Sequence, residues 1–394
     1  MVLSYPKIAI IILNWNGWRN TIECLESLYQ INYLNYDVIV VDNGSEDESI
    51  KRIKEYCNGK IKIETKFFEY NPREKPIEII EYTEDEALCY GGNETNSKNH
   101  ILNKKMTLIR NNKNYGFAKG NNIGIRHALR ALNPEYVLLL NNDTVVDKEF
   151  LIELAKTAES NKKIGMLATK LLFYENPKVI NSVGTIIFRD GSAAHLGGRE
   201  IDMGQYDQPF ETFAPCAAAS LYRSEMLKEI GLFDEDFFAY MEDVDLGWRA
   251  RLAGWSCFFS PKSVVYHKHS ASSKPHSKFK LFQIERNRLL IVLKNYPLKY
   301  IGLLPVFNFH RYILIYLARN RNNEISKYCS NIGISSIFIT LLQSWIDVIR
   351  YAPKFLLKRK QVYRIIKVND TEIEDWFKKF SKHFSDVLAN SIEM

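Results

Sequence analysis

The sequence lacks several signatures that would fix its class at once. Its six cysteines lie far apart without a Cys-x-x-Cys pair, so neither a disulfide framework nor a zinc knuckle is predicted, and a reducing, cytosolic compartment fits best. Residues 1–6 hold no basic residue and the apolar run at 8–13 is only six residues long, so no secretory signal is expected. Neither a Gly-x-Gly-x-x-Gly nor a Walker loop occurs, so these two nucleotide-binding modes lack support.

The composition is that of a folded chain with an uneven charge. The 394 residues are 46% hydrophobic and 25% charged, which suits one domain of roughly 250 residues plus an appendage, or two domains. Residues 271–394 hold 21 Lys+Arg and 9 Asp+Glu, net +12, whereas residues 1–270 hold 32 and 37, net −5. An acidic body with a basic tail is therefore predicted, and such a tail suits nucleic acid or an anionic membrane surface.

The first 60 residues alternate strand and helix patterns. Residues 8–13 and 38–41 are continuous apolar runs, typical of strands buried on both faces of a parallel sheet. The three-residue spacing of Ile22, Leu25 and Leu28 predicts a helix between them, and residues 45–48 match a capping box that opens the next helix. Such open sheets bind ligands beyond the carboxyl ends of their strands.

The same rhythm returns after an interruption. Residues 64–104 are polar and contain Pro and Gly-Gly, so they are interpreted as an insertion at the sheet edge or a surface lobe. Strands are predicted at 106–109 and 136–140, with a Gly and Asn-rich turn and a helix over 123–132 between them. We therefore expect an α/β domain over residues 1–278.

The tail from residue 279 to 394 is predicted to be a helical, basic extension. Its uncharged window at 328–346 is long enough to span a bilayer, but its polar content favours an interfacial or packed helix. The bases that follow it each contribute about 1 kcal/mol near anionic lipid. An aromatic and basic platform is lacking, so nucleic-acid binding is not expected. The prediction is a cytoplasmic protein, peripheral on the inner face of the membrane.

Two carboxylates follow predicted buried strands. Asp42 and Asp143 both lie at strand ends, so they are delivered to the same edge of the sheet. There a carboxylate can accept hydrogen bonds from a nucleobase or a ribose hydroxyl, or help to hold a divalent cation with substrate phosphates. The alternative is ordinary turn chemistry, with Asn141 and Asn142 as turn formers.

Three further stretches carry candidate chemistry. Residues 111–122 are dense in Asn and Gly, which suggests a backbone close to a ligand or a tight turn with an Asn cap. Acids at 242, 243 and 245 interrupt an aromatic segment, where lost solvation makes a carboxylate more basic, as a general base requires; helix capping is the alternative. His267 ends an apolar run and is either structural or a metal ligand beside Asp143.

Taken in order, these pieces resemble the family 2 glycosyltransferases, and within them the rhamnosyltransferase-like branch, over roughly residues 6–295. The ordered set is far more specific than any one piece. The matching stretches are residues 11–17 (Ile-Ile-Leu-Asn-Trp-Asn-Gly), 41–45 (Val-Asp-Asn-Gly-Ser), 114–118 with 120–122, 140–143 (Leu-Asn-Asn-Asp), 215–219 with 222–223, 231–235, 242–246 (Glu-Asp-Val-Asp-Leu) and His267.

The resemblance implies a GT-A fold, a nucleoside-diphosphate sugar donor, a divalent metal (Mg²⁺ or Mn²⁺) and inversion at the anomeric carbon. It implies Asp243 as the general base and Glu242 as the neighbour that positions it or the acceptor. Asp143 and His267 correspond to metal contacts, but Asn141 replaces the first acid of Asp-x-Asp, which makes metal dependence less certain. The implied donor-binding residues are Asn14, Asp42, Asn114, Gly116, Asn121 and Asn142.

The acceptor implied is a lipid-linked molecule or a glycan, in polysaccharide, glycolipid or glycan assembly. Two other functions were weighed on the residues. A sugar-phosphate nucleotidyltransferase needs a Gly-rich, basic phosphate loop after the first strand, and residues 14–17 are not one. A non-catalytic binding protein of the same fold would lack the acid cluster at 242–245, which is intact.

Overall fold

A mixed sheet flanked by helices forms the centre of the molecule. The computed structural model describes residues 5–89, 104–268, 277–318 and 330–381. The strands are β1 (Ile8–Asn14), β2 (Tyr36–Asp42), β3 (Glu78–Thr83), β4 (Lys105–Arg110), β5 (Tyr136–Asn141), β6 (Thr144–Val146), β7 (Ile164–Phe173), β8 (Ile180–Ser182), β9 (Thr185–Ile187), β10 (Ala193–His195), β11 (Phe210–Thr212), β12 (Ala219–Arg223) and β13 (Ser256–His267). The helices are α1 (Trp18–Leu28), α2 (Ser49–Cys57), α3 (Glu84–Cys89), α4 (Gly116–His127), α5 (Phe150–Glu159), α6 (Ser224–Ile230), α7 (Glu242–Leu252), α8 (Lys278–Asn295), α9 (Leu298–Ala318), α10 (Ile334–Tyr363) and α11 (Asp370–Lys379).

The strand order confirms the predicted, mostly parallel α/β sheet. Along the main path it is β11-β13-β7-β12-β5-β1-β2-β4-β3. The five strands from β5 to β3 are all parallel, so their carboxyl ends share one edge. β12 runs antiparallel between β5 and β7, and β13 is parallel to β7. Because β3 forms the edge strand, part of the predicted insertion at 64–104 lies at the sheet edge; residues 90–103 lie outside the described chain.

Side chains of the central strands alternate between two apolar cores. In β1, Ile8, Ile10 and Ile12 pack into the core that contains α1 and α5, whereas Ala9 and Ile11 pack into the core that contains α4 and α7. Helices therefore cover both faces of the sheet. This explains the continuous apolar run that the sequence shows there, since neither face meets water.

Two local predictions were wrong. The helix expected from residue 123 begins at Gly116, so the Gly and Asn-rich segment forms its first two turns. A Cβ on Gly124 would lie 2.7 Å from Ile11 Cγ2, so glycine lets this helix press against β1. The capping box at 45–48 is absent, because α2 begins only at Ser49 and the Ser45 hydroxyl donates to Asp42 Oδ2 at 2.7 Å instead.

The C-terminal extension is helical, as predicted. A third core joins α7, through Trp248, to apolar side chains of α8, α10 and α11. The uncharged window at 328–346 falls mostly in α10, with 328 and 329 outside the described residues. Across the described chain, no helix combines the length and apolar character needed to cross a membrane. The domain boundary at residue 278 stays a prediction; residues 319–329 and 382–394 are not described.

Candidate active site

A cavity of about 390 Å³ opens at the carboxyl edge of the parallel strands. The ends of β1 and β5, the loop after β2, the start of α4, the β10 strand and the start of α7 all contribute to its wall. Seven of the ten predicted site residues line it: Asn114, Gly116, Asn142, Asp143, Glu242, Asp243 and His267. The chain therefore brings residues that are up to 150 positions apart to one space.

Asn14, Asp42 and Asn121 do not form part of that wall. Asp42 is 1% exposed, and its carboxylate accepts from the side chain of Asn14 at 2.7 Å and from the hydroxyl and amide of Ser45 at 2.7 and 3.0 Å. Asn121 donates to the carbonyl of Phe117 at 2.9 Å within its own helix. In this structure these side chains shape the loops behind the cavity, and their donor-binding roles stay predictions.

Side-chain amides fix the segment before α4. Asn43 Nδ2 donates to Asn114 Oδ1 at 3.0 Å and to the Gly116 carbonyl at 3.1 Å. Asn114 Oδ1 also accepts from the Gly116 amide at 2.8 Å. Gly116 has φ +77, and a Cβ there would lie 2.6 Å from the Phe238 carbonyl oxygen. The sequence therefore needs both amides and a glycine at this point, whichever ligand the cavity holds.

Asp143 and His267 meet because β6 pairs with β13. Thr144 is opposite His267 in that pairing, and the Lys268 amide donates to the Asp143 carbonyl at 2.9 Å. His267 Nε2 lies 3.3 Å from Asp143 Oδ1, and Nδ1 lies 2.9 Å from Asn181 Oδ1. An amide oxygen only accepts, so Nδ1 carries the hydrogen. Nε2 then faces a carboxylate, an arrangement that a shared cation stabilises.

These two side chains fit a divalent cation, although they are only part of a ligand set. No cluster of three or more His, Cys, Asp or Glu suited to a metal occurs among the described residues. The carboxylate suits either Mg²⁺ or Mn²⁺ when phosphates and water supply the other ligands, whereas the imidazole suits Mn²⁺ better than Mg²⁺, which prefers oxygen ligands. Asn141, which stands where the resemblance calls for an acid, lines the same cavity.

Glu242 and Asp243 open α7 and form the acidic part of the wall. Burial, together with the charge of Asp243, raises the pKa of Glu242 well above its usual range. Burial also raises the pKa of Asp243, against hydrogen bonds from the Ala217 and Val244 amides and the charge of His195. Glu242 Oε2 is buried without a hydrogen-bond partner among the described residues. Burial and the neighbouring charge thus favour the neutral form of Glu242 beside Asp243.

Asp245 has a structural role. It is fully buried and accepts from Arg249 at 2.9 Å, Lys294 at 2.9 Å and Asn295 at 2.8 Å. Burial alone would raise the pKa of Asp245, but the charges of Lys294 and Arg249 hold it below its usual value. Arg249, one turn later in the same helix, thus forms an ion pair with this acid. Of the three acids in the motif, two face the cavity and the third fixes the helix.

The segment before α7 has an unusual backbone. Phe238, Tyr240 and Met241 have positive φ angles of 61, 67 and 70, which cost roughly 1–3 kcal/mol each for residues with a side chain. The Ala239 amide donates to the Phe237 carbonyl at 2.7 Å, closing a three-residue turn around Phe238. Such a segment holds its shape only when its surroundings fix it, and it leads directly into Glu242.

Two cavity residues were missed by the sequence analysis. His195 ends the three-residue strand β10 and lines the cavity within electrostatic range of Asp243. Lys280, near the start of α8, is mostly buried and brings an ammonium group to the wall. β10 is too short for a strand pattern to place His195, and Lys280 lies in the segment that was assigned to the extension.

Comparison with protein families gives two matches. The model described as Glycosyl transferase family 2 matches residues 9–73, and the model described as Glycosyltransferase like family 2 matches residues 97–289. Together these two stretches include every residue that lines the cavity.

Individual relatives cover different shares of the chain. The Low-salt glycan biosynthesis hexosyltransferase Agl10 of Haloferax volcanii is 30% identical over 141 residues, which is 35% of this chain and 44% of that protein, less than half its length. The dTDP-rhamnosyl transferase RfbF of Shigella flexneri is 23% identical over 287 residues, 66% of this chain and 90% of that protein. The crystal structure of GalNAc-T7 with UDP, GalNAc and Mn²⁺ has a TM-score of 0.55 at 12% identity, covering 89% of this chain and 59% of that one, so the GT-A fold is shared.

Proposed function

This chain belongs to the family 2 glycosyltransferases, of the rhamnosyltransferase-like kind, and from that premise we propose that it transfers a sugar from a nucleoside diphosphate to an acceptor hydroxyl with inversion. The observation that carries the proposal is a single cavity with Asp143 and His267 on one part of its wall and Glu242 and Asp243 on another. A cation-binding pair suits the leaving diphosphate, and an acidic pair suits the incoming alcohol.

Asp243 takes the proton of the acceptor hydroxyl in this proposal. Its raised pKa makes it a stronger base than an exposed aspartate, and the hydrogen bonds from Ala217 and Val244 fix the direction of its carboxylate. A single in-line displacement inverts the anomeric carbon. Glu242, whose raised pKa favours the protonated form, donates a hydrogen bond to a substrate oxygen rather than accepting a proton.

Positive groups stabilise the negative charge that develops on the leaving diphosphate. Asp143 and His267 would hold a divalent cation, which supplies such charge when bound. Lys280 is the basic side chain of α8 that reaches the wall, and we assign it to a diphosphate oxygen. Since the name of RfbF specifies dTDP-rhamnose as that protein's donor, dTDP-rhamnose is the first donor to test here.

The acceptor is proposed to be lipid-linked, with the enzyme bound peripherally at the inner face of an anionic membrane. Large apolar side chains of α9 and α10 are exposed, including Phe309 at 70%, Phe338 at 69% and Ile349 at 70%. On α10 the exposed apolar positions 338, 342, 346 and 349 recur at three- or four-residue intervals, which forms one stripe. Seven bases and no acid lie between residues 350 and 367. An apolar stripe followed by bases is typical of interfacial helices.

Transfer is tested with a donor panel. Wild type and the Asp243→Asn variant are incubated with dTDP-rhamnose and with UDP-, GDP- and dTDP-hexoses, in Mn²⁺, in Mg²⁺ and in EDTA, together with bacterial polyprenyl diphosphate sugars as acceptors. Release of the nucleoside diphosphate is measured. We expect release with one donor class that falls at least 100-fold in the variant. Equal release from both proteins would contradict the assignment.

Membrane binding is tested by flotation with vesicles of phosphatidylcholine alone and with 30% phosphatidylglycerol. Removing about half of five large apolar side chains from water is worth on the order of 5 kcal/mol, so Phe338→Asp with Ile349→Asp should lower binding at least tenfold. Leu34→Asp is the matched control, because Leu34 is 90% exposed but lies outside both helices. Equal binding by the double variant and the control would refute this surface.

A further inference from the structure

The strained segment 236–241 takes its shape from α8. Asn287 is completely buried, and the two hydrogens of its side-chain nitrogen are shared among three backbone carbonyl oxygens of that segment. These are Phe237 at 3.0 Å, Ala239 at 3.0 Å and Tyr240 at 2.7 Å. A single side-chain amide therefore binds the carbonyls on both sides of the turn at Phe238.

Arg286 orients this amide and extends the contact by one residue. Its Nη1 donates to Asn287 Oδ1 at 2.8 Å and to the Asp236 carbonyl at 2.9 Å. Its Nε donates to Asp347 of α10 at 2.6 Å. The three carbonyls accept hydrogen bonds, so the amide nitrogen of Asn287 must face them. The guanidinium of Arg286 donates, so the amide oxygen must face it. Only one orientation of the Asn287 amide meets both requirements.

The opposite side of the segment is held by α4. The Phe238 carbonyl accepts from the Ala118 amide at 3.1 Å, and the Phe238 ring packs where a side chain on residue 116 would be. Each carbonyl from residue 236 to 240 is thus bound by α8 or α4. The next carbonyl, of Met241, accepts from the Asp245 amide at 3.0 Å and starts α7. The position of Glu242 and Asp243 therefore depends on the hydrogen bonds that hold segment 236–241. Those from Asn287 are called the clamp.

We propose that Asn287, oriented by Arg286, is a positioning residue for sugar transfer. It holds segment 236–241 in its left-handed backbone, and through that segment it sets the distance between Asp243 and the other wall of the cavity. It touches no substrate. The inference rests on the proposed function for its kinetic consequence, and on the hydrogen bonds above for its structural one.

The test compares two buried asparagines of the same helix. Asn287→Ala removes the clamp, whereas Asn295→Ala removes an amide of similar burial that donates to Asp245 at 2.8 Å, an acid that keeps its bonds from Arg249 and Lys294. With dTDP-rhamnose or whichever donor the panel identifies, we expect kcat to fall about 100-fold in Asn287→Ala, since a displacement near 1 Å costs that much. The donor KM should stay within threefold, and Asn295→Ala should keep kcat within threefold.

Hydrogen exchange of the backbone amides at 237–245 gives a readout that needs no activity. We expect at least tenfold faster exchange in Asn287→Ala and wild-type exchange there in Asn295→Ala. If wild type transfers no sugar, the proposed function fails, and the exchange result still decides whether Asn287 holds the segment. If the two variants match in kcat and in exchange, the positioning role is overturned even though transfer stands.

A second variant covers the case in which Asn287→Ala does not fold. Arg286→Lys keeps the positive charge beside Asp347 but cannot reach both Asn287 Oδ1 and the Asp236 carbonyl. We expect kcat to fall about tenfold, with faster exchange confined to residues 236–241. Wild-type kcat and exchange in that folded variant would overturn the role assigned to the pair.

Discussion

Replacing Asp243 by Asn should separate catalysis from stability. Burial raises the pKa of Asp243, so the folded state prefers this carboxyl protonated. As pH rises past the unfolded value, near 4, ionised Asp243 lowers the free energy of unfolding. Asn keeps the shape and never ionises. The variant should therefore lose the general base while removing a source of instability at neutral pH.

Asp245 in the same helix should behave in the opposite way. Its carboxylate is buried against Lys294 and Arg249, whose charges lower its pKa. The stability it contributes is fully present above the unfolded pKa and is lost as pH falls through the lower, folded pKa. Breaking such a buried pair from one side costs roughly 3–5 kcal/mol. Asp245→Asn should therefore unfold several degrees below wild type.

The expected losses of activity and of stability determine which measurements distinguish a catalytic from a structural role of Asp243. General-base removal is worth roughly 100 to 10,000-fold in kcat, or about 3–5 kcal/mol of transition-state stabilisation. We expect Asp243→Asn to lose that factor, to retain donor affinity by calorimetry, and to unfold in urea at pH 7.5 within about 1 kcal/mol of wild type, since one amide contact is weakened. An Asp243→Asn variant that unfolds as early as Asp245→Asn would show that Asp243 is structural and refute the reasoning.

Three other substitutions follow from the cavity. The positive charge of His195 lowers the pKa of Asp243, so His195→Gln should move the acid limb of the kcat/KM profile to higher pH; an unmoved limb would argue against the coupling. Burial raises the pKa of Glu242 well above its usual range, so a neutral side chain should replace it, and Glu242→Gln should keep kcat at pH 7 within about tenfold of wild type; a 1,000-fold drop would mean that its charge is required. Gly116→Ala should raise the donor KM and lower the melting temperature together, because a Cβ would overlap the Phe238 carbonyl; calorimetry and donor titration check both, and a neutral result would contradict the close approach.

The strands of the sheet were well predicted because the apolar pattern that defines each strand lies within a few consecutive residues. An apolar run such as residues 8–13 can be buried on both faces only inside a parallel sheet, and strand ends such as Asp143 fall at the ligand edge. Polar segments were harder. The sequence pattern predicts Ser45 as a helix cap, yet its hydroxyl donates to Asp42 within the loop between β2 and α2, four residues before that helix begins. The Asn and Gly residues of 116–122 have low helix propensity, and packing against β1 overrides it.

The residues of the candidate site also divide into those that the sequence pattern identifies and those that it does not. Glu242 and His267 carry enough chemistry in their surroundings to be noticed, and both line the cavity. Asp42 was noticed for the same reason, although its carboxylate is fully engaged behind the wall. No local sequence pattern marks His195 or Asn287. Their roles depend on contacts with residues more than 40 positions away in the chain, which only the folded structure shows.

Part of the positive charge of the basic tail is neutralised by acids within the same molecule. The basic tail was interpreted as a sign of an external anionic partner, but several of its bases pair with acids of the body. These pairs are Lys294 with Asp234 and Asp245, Arg311 with Asp190, Lys354 and Lys358 with Asp236, Lys367 with Glu229, and Lys379 with Glu211.

These pairs have two consequences for the extension. The buried ones, such as Lys294 with Asp245, tie α8 to the helix that carries Glu242 and Asp243, so the tail supports the cavity from behind. The exposed ones, such as Lys367 with Glu229, are worth little to stability, yet they neutralise charge that would otherwise face lipid. The proposed membrane contact therefore depends more on the apolar stripe of α10 than net charge alone suggests, and α10 also carries Asp347, the carboxylate that accepts from Arg286.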